Sequence, residues 1–150
     1  MNIRMAGMVF VAAGALLLLG NIAEAHTTIS PRQSIAGAME RYTVRVPAEG
    51  QMMAKGAEVE VPEGVTVANF ATPAGWTYEV KRQDGRIAIR WRMDIKPGEF
   101  AEFSFVARNP QDAGQIIWKL REFFADGTVT DFTNGPDGIY PGAIVKLSPN

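Results

Sequence analysis

The sequence predicts an all-β protein whose single domain is an antiparallel β-sandwich. Beyond residue 26, short segments alternate apolar and polar residues, and turn residues separate them at regular spacing. No long stretch has the periodicity of an amphipathic helix. About eight short strands with this spacing are typical of two packed antiparallel sheets.

The first 25 residues have the three-part layout of a secretory signal peptide. Arg4 gives a positive start, an apolar run follows over residues 8–20, and the small residues of Ala-Glu-Ala at 23–25 suit cleavage. The apolar run is shorter than the roughly 20 residues that a membrane-spanning helix needs, so an uncleaved anchor is the weaker alternative. We expect cleavage after Ala25, export to the periplasm or another extracytoplasmic compartment, and one domain over residues 26–150.

Strand patterns begin directly after this segment. Residues 27–31 have strand character, and residues 41–47 alternate apolar with polar side chains until a proline ends the pattern. Residues 57–70 contain two further strands, which Pro-Glu-Gly at 62–64 separates.

Two Asp-Gly pairs, at 84–85 and 126–127, indicate β-hairpins. Between these hairpins, Phe103, Phe105 and Ala107 alternate with their neighbours and share one face of a further predicted strand. Residues 118–124 also fit the spacing of a helix face, but their position before an Asp-Gly pair favours a strand. The last residues suggest a loop and one final strand.

Composition excludes several classes of protein. The chain has no cysteine, which rules out disulfides and thiolate metal sites such as blue-copper centres. Its 15 basic and 16 acidic residues are interspersed along the chain. We therefore expect neither a nucleic-acid surface nor a polybasic membrane patch.

His26 is the only histidine of the chain, and cleavage after Ala25 would make it the first residue. Its α-amine and its Nδ1 atom can then chelate one metal ion in a six-membered ring. An α-amine ordinarily titrates at about pH 8 and an imidazole at about pH 6.5, so both nitrogens can become available to a metal. Two neutral nitrogen donors of this kind favour copper(II). The alternative is an incidental histidine at a frayed terminus. The strand character of the following residues disfavours this alternative.

Further metal ligands have to be oxygen or thioether atoms, because the chain has no other histidine and no cysteine. Glu58 and Glu60 lie on one face of a predicted strand, although solvated strand residues are the simpler interpretation. Met52 and Met53 offer thioethers to copper(I), or they are apolar filler. One histidine and no paired carboxylates leave no set of catalytic groups, so we expect a binding protein rather than an enzyme.

Several segments occur together in the order and spacing of a known family. They are AHTTISP, AGAMERYTVRVP, VEVPEGV, PAGWTYEV, KPGEFAEFSFVARNP and WKLREFFADGTVTDFTNG, and they extend from His26 to about Gly135. In these segments the chain resembles the YcnI-like copper-binding domain family. The resemblance implies an exported cupredoxin-like or immunoglobulin-like β-sandwich with one copper(II) in a single-histidine brace. In such a brace, a strand carboxylate and a nearby tryptophan join the amine and imidazole of the first mature residue.

On this sequence, the resemblance implies that His26 is the brace residue and that Glu58 is the carboxylate. Glu60 is the alternative if the register differs by one pleat. Phe132 stands where the family has tryptophan, with Asp131 beside it in place of glutamate. A phenyl ring is a poorer cation–π partner than an indole, but copper binding should not depend on it.

Trp118 is a second aromatic candidate for the surroundings of the metal, although a core tryptophan is the simpler interpretation. The functional hypothesis is a metallochaperone or buffer for copper homeostasis. It would hold one copper(II) per chain and pass it to a membrane copper transporter or to an apo-cuproprotein. Two alternatives stay open: an envelope interaction domain without metal, and a copper-dependent oxidase, which the lack of a second histidine disfavours. The oligomeric state is not predicted.

Overall fold

The computed structural model describes residues 27–48, 50–112, 114–134 and 142–150. It confirms the predicted all-β class, since the described residues form eleven strands and no helix. The predicted signal peptide and His26 lie outside the described residues. The strands are β1 (Thr28–Ser30), β2 (Gln33–Ile35), β3 (Met39–Pro47), β4 (Ala54–Glu60), β5 (Thr66–Phe70), β6 (Thr77–Gln83), β7 (Arg86–Ile95), β8 (Phe100–Arg108), β9 (Gly114–Phe124), β10 (Val129–Phe132) and β11 (Ala143–Ser148).

Two sheets form the sandwich. The smaller has four strands in the order β1-β3-β8-β5, and the larger has the order β2-β11-β9-β4-β7-β6 with β10 beside β9. The ladders are antiparallel as predicted except for β11 and β2, which run parallel. Both Asp-Gly hairpins are confirmed, as β6 to β7 and as β9 to β10.

The core lies between the sheets and follows from the alternation along each strand. In β8, Phe103, Phe105 and Ala107 all point inward, as their spacing predicts. Strand β7 contributes Ile89 and Trp91, and the Trp91 ring stacks on the Phe103 ring with centroids 3.9 Å apart. An aromatic layer of this kind buries much apolar surface, which a chain without disulfides requires.

The segment of residues 118–124, for which a helix was the alternative, is part of strand β9. Its residues alternate strictly between buried and partly exposed positions. Strand β9 pairs with β4 on one side, and with β11 and then β10 on the other. These ladders exclude a helix over residues 118–124, because the backbone N–H and C=O groups of β9 form hydrogen bonds with neighbouring strands.

Candidate metal centre

Thr27 and Glu122 form a buried polar contact at the beginning of the described chain. The Thr27 Oγ1 atom donates a hydrogen bond of 3.2 Å to Glu122 Oε2. Glu122 has no solvent exposure and Thr27 is only 5% exposed. Thr27 directly precedes β1 of the smaller sheet, whereas Glu122 lies on β9 of the larger sheet. The hydrogen bond therefore joins the two layers one residue away from His26.

Strand pairing puts Glu122 on the inward face. It lies opposite Ala57 of β4 on one side and Thr130 of β10 on the other. Along β9 it follows the buried residues Trp118 and Leu120 at intervals of two. A carboxyl group placed among these neighbours is removed from water, so it needs polar partners, and Thr27 is one of them.

Phe132 lies on the same inward face as Glu122. It is opposite Leu120 in the ladder of β10 and β9, one inward position along from the pair of Thr130 and Glu122. Phe132 is 1% exposed. The structure thus places the predicted aromatic residue on the same buried face as Glu122, in the neighbouring strand.

Trp118 is a core residue. Its ring packs against Tyr42 and Phe105 with centroid distances of 5.0 and 5.1 Å. It is four residues from Glu122 along an extended strand, which corresponds to roughly 13 Å. This position favours a packing role for Trp118 over contact with a metal.

Glu58 lies on the opposite, outer face of the larger sheet. Its Oε1 atom accepts a hydrogen bond of 3.1 Å from Arg121 Nη1, and its Oε2 atom accepts one of 3.2 Å from Lys81 Nζ. These two side chains leave its carboxylate side chain only 8% exposed. Glu60 lies on the same face, 3.6 Å from Lys119. Both sequence-predicted carboxylates therefore form ion pairs on the face away from Thr27.

Asp131 belongs to the same outer face. Its Oδ2 atom lies 3.3 Å from Arg121 Nε, so Arg121 bridges Asp131 and Glu58. Burial opposes the guanidinium charge, but the hydrogen bonds to Asp131 and Glu58 outweigh it and raise the pKa of Arg121. The structure thus separates the predicted residues: Phe132 and Trp118 point inward, and Glu58 and Asp131 point outward.

Glu122 was not among the residues predicted from the sequence. The signal that identifies it is an acid at a position of the apolar face, within the alternation of Ile116, Trp118, Leu120 and Phe124. Among the described residues, no group of three or more histidines and acids could hold a metal. A metal at Glu122 therefore requires donors outside this set, and His26 directly precedes Thr27 in the chain.

The strand order and the buried core define an immunoglobulin-like β-sandwich, one of the two expected architectures. A crystal structure of a Nocardia farcinica protein with an immunoglobulin-like fold superposes with a TM-score of 0.67 at 25% identity, over 83% of this chain and 99% of that one. A cohesin module of a Clostridium perfringens family 33 glycoside hydrolase superposes with a TM-score of 0.51. At 13% identity, over 83% of this chain and 97% of that one, it shows a shared fold only.

The chain belongs to the family described as a domain of unknown function, DUF1775, whose model matches residues 26–143. It is also 28% identical to the copper-binding protein CutI of Bacillus subtilis (strain 168). That similarity extends over 139 residues, which are 90% of this chain and 68% of CutI. These findings confirm the predicted YcnI-like domain.

Proposed function

We propose that this chain is an exported copper-binding protein that holds one copper(II) ion at the N-terminus created by cleavage after Ala25. The α-amine and imidazole of His26 supply two nitrogen donors. Glu122 supplies the carboxylate, and Phe132 covers the inner side of the site. The protein acts as a chaperone or buffer that transfers copper to a transporter or to an apo-cuproprotein.

The hydrogen bond between Thr27 and Glu122 is the observation that carries this proposal. It fixes a buried carboxylate against the residue that follows His26. His26 directly precedes Thr27 in the chain, and consecutive Cα atoms of a polypeptide are about 3.8 Å apart. Two nitrogens and a carboxylate suit copper(II), and the copper-binding function of CutI supports the same cargo.

Glu58 is the second candidate for the carboxylate ligand. Its two oxygen atoms already accept hydrogen bonds from Arg121 and Lys81, and it points to the other face of the sheet. Binding a metal there would require both ion pairs to break. We therefore place Glu122 ahead of Glu58, and the two can be separated by experiment.

A site with one chelating residue and one carboxylate leaves room for another ligand. Water or a donor atom of a partner protein can enter without displacing His26. Such a site suits exchange of the cargo, because transfer between proteins proceeds through a shared intermediate. Glu122 is held in a strand of the sandwich, so its side chain loses little conformational entropy when it binds a metal.

The brace is tested by comparing the chain that begins at His26 with one that carries an additional alanine before it. The additional residue converts the α-amine into an amide, which removes it as a neutral nitrogen donor. We expect copper(II) affinity by calorimetry to fall at least about 100-fold, and the electron paramagnetic resonance spectrum to change. Equal affinities and spectra would exclude the brace.

The carboxylate is tested with Glu122→Gln and Glu58→Gln in the chain that begins at His26. Glutamine retains an acceptor for Thr27 but loses the charge, so we expect Glu122→Gln to weaken copper(II) binding about tenfold or more. Glu58→Gln serves as the matched control and should change affinity less than about twofold. The opposite ranking would assign the ligand to Glu58. If no metal binds to the correctly processed chain, the interaction-domain alternative replaces copper binding.

A further inference from the structure

Strand β6 is a long and regular sheet edge. It is the last strand in the order of the larger sheet, and β7 is its one ladder partner among the described strands. It has seven residues, and its register with β7 is uninterrupted. By contrast, β1 and β2 have three residues each, and a register shift interrupts the ladder of β5 with β8. Short or bulged edges resist pairing with another chain, whereas a regular edge permits it.

The side chains of β6 are self-complementary about Val80. Glu79 and Lys81 flank this residue, and Tyr78 and Arg82 lie one position further out. In an antiparallel pair of identical strands centred on Val80, Glu79 of each copy lies opposite Lys81 of the other. Tyr78 then lies opposite Arg82. Opposite charges in direct cross-strand positions stabilise a sheet, and an arginine beside a tyrosine ring adds a cation–π contact.

Three other pairings of the same two edges are unfavourable. A pair centred on Glu79 or on Lys81 brings two identical charges together on the axis. A parallel pair in register puts Glu79 beside Glu79 and Lys81 beside Lys81. Like charges directly opposite each other destabilise a sheet, so only the arrangement centred on Val80 pairs both charges favourably.

The two charged side chains are accessible for such contacts. Glu79 and Lys81 have side chains that are 42% and 46% exposed. Both point to the outer face, where Arg92 approaches Glu79 at 3.0 Å and Glu58 approaches Lys81 at 3.2 Å. Val80 packs partly against the core, so its side chain lies on the opposite face from these ion pairs.

We propose that two copies of this chain associate through antiparallel pairing of their β6 strands, with Val80 of each copy at the two-fold axis. The larger sheet then continues from one copy into the other. The association is weak and depends on salt, because the contact is one strand wide and its side-chain pairs are exposed. It is independent of the metal centre.

Reciprocal charge reversal tests the register. Glu79→Lys and Lys81→Glu each make both flanking pairs repulsive in a homodimer, and we expect each to raise the dimer dissociation constant about tenfold or more. An equimolar mixture of the two variants restores opposite charges and should dimerise, as should the double variant. Sedimentation equilibrium at low salt measures all four cases. Lys55→Glu, at an exposed ion pair with Asp94, is the control and should leave dimerisation unchanged.

A cysteine cross-link provides a second test that does not alter charge. Because the chain has no cysteine, Val80→Cys introduces a single thiol, and mild oxidation should convert most of the protein to a disulfide-linked dimer. Val129→Cys, at an exposed valine on β10, is the matched control and should cross-link far less. A monomer at all concentrations, equal cross-linking of the two variants, or no rescue in the mixture of charge variants would overturn the proposal.

Discussion

Tyr42 contributes a fully buried aromatic ring to the core and a hydroxyl group that needs a partner. Its hydroxyl donates a hydrogen bond of 2.6 Å to Asn109 Oδ1. The Asn109 amide in turn donates to Ser34 Oγ and to the Ile35 carbonyl, each at 2.9 Å. This network attaches the short strand β2 to the core. Because Asn109 is itself buried, the loss of any one of these hydrogen bonds would leave a polar group without a partner in the core.

Tyr42→Phe should lower the free energy of unfolding by about 1–3 kcal/mol at pH 7, because Asn109 Oδ1 loses its buried donor. Chemical denaturation monitored by circular dichroism measures this loss. Val46→Ala, at a buried position without polar contacts, serves as a packing control. A neutral effect of Tyr42→Phe would show that the network does not stabilise the fold.

The same residue gives stability a dependence on alkaline pH. Burial, with the nearby charge of Glu40, raises the pKa of Tyr42 from 10.0 to about 12, although the hydrogen bonds to Asn109 and Ser34 lower it. The folded state therefore keeps the proton while the unfolded state loses it above pH 10. This contribution is fully present below pH 10 and falls by about 1.4 kcal/mol per pH unit until pH 12. The fall should be smaller in Tyr42→Phe.

The candidate site was only partly predictable at the level of residues. The position of His26 in the sequence and the aromatic character of Phe132 indicated where to look. Glu58 was selected from the family resemblance, and the local alternation of β4 cannot show which side of the sheet faces the N-terminal strand. The alternation of β9 marks Glu122 as an acid on an apolar face, but its contact with Thr27 follows only from the packing of β9 and β1 in opposite layers.

At the level of elements, Gly56 marks a close approach of two strands. The register of β4 shifts between Ala54 and Gly56 against both of its neighbours, β7 and β9. A Cβ atom at Gly56 would lie 2.4 Å from the carbonyl oxygen of Trp91. The backbone of Trp91 cannot move aside as a flexible side chain could, so this bulge requires glycine.

Gly56→Ala should therefore destabilise the protein by about 3 kcal/mol or more, through displacement of β7. Gly127→Ala is the control, since a Cβ atom there would meet no atom of the described residues within 4 Å apart from its chain neighbours, and its φ is 87°. Strain in that hairpin should cost about 1–2 kcal/mol. Thermal unfolding compares the two variants, and an equal or smaller loss at Gly56 would contradict the importance of the close approach.

Most of the strands could be predicted from the sequence, and for identifiable reasons. Period-two alternation in β3, β7 and β8 and the Asp-Gly pairs specify strands and hairpins locally. The segment of β9 was ambiguous because Leu120, Phe123 and Phe124 fit both periods, and its ladders with β4 and β11 decide the matter. The short β2 and its parallel ladder with β11 depend on contacts far apart in sequence, which no local pattern encodes.

At the level of the whole molecule, the contact between Thr27 and Glu122 joins the two layers of the sandwich. A copper ion bound by His26 and Glu122 would join the same layers, and the unfolded chain would lose this arrangement. At a copper(II) concentration 100 times the dissociation constant, binding should add about 2.7 kcal/mol to the free energy of unfolding.

We therefore expect copper(II) to raise the melting temperature of the chain that begins at His26 by about 10 °C. The chain with an additional alanine before His26 is the control, and its melting temperature should rise much less. Differential scanning calorimetry with and without a chelator measures both. The same increase in the two chains would place the stabilising metal elsewhere.

The parallel ladder of β11 with β2 also constrains the order in which the molecule folds. Strand β11 lies between β2 and β9, so residues 143–148 complete a sheet whose first strand begins at residue 33. Strands β2 and β11 are more than a hundred residues apart in the sequence, so the ribosome synthesises β11 long after β2. The closing step of folding therefore follows synthesis of β11, and a nascent chain remains an incomplete sheet until then. A translocation channel that receives the chain during synthesis would therefore meet an incomplete sheet.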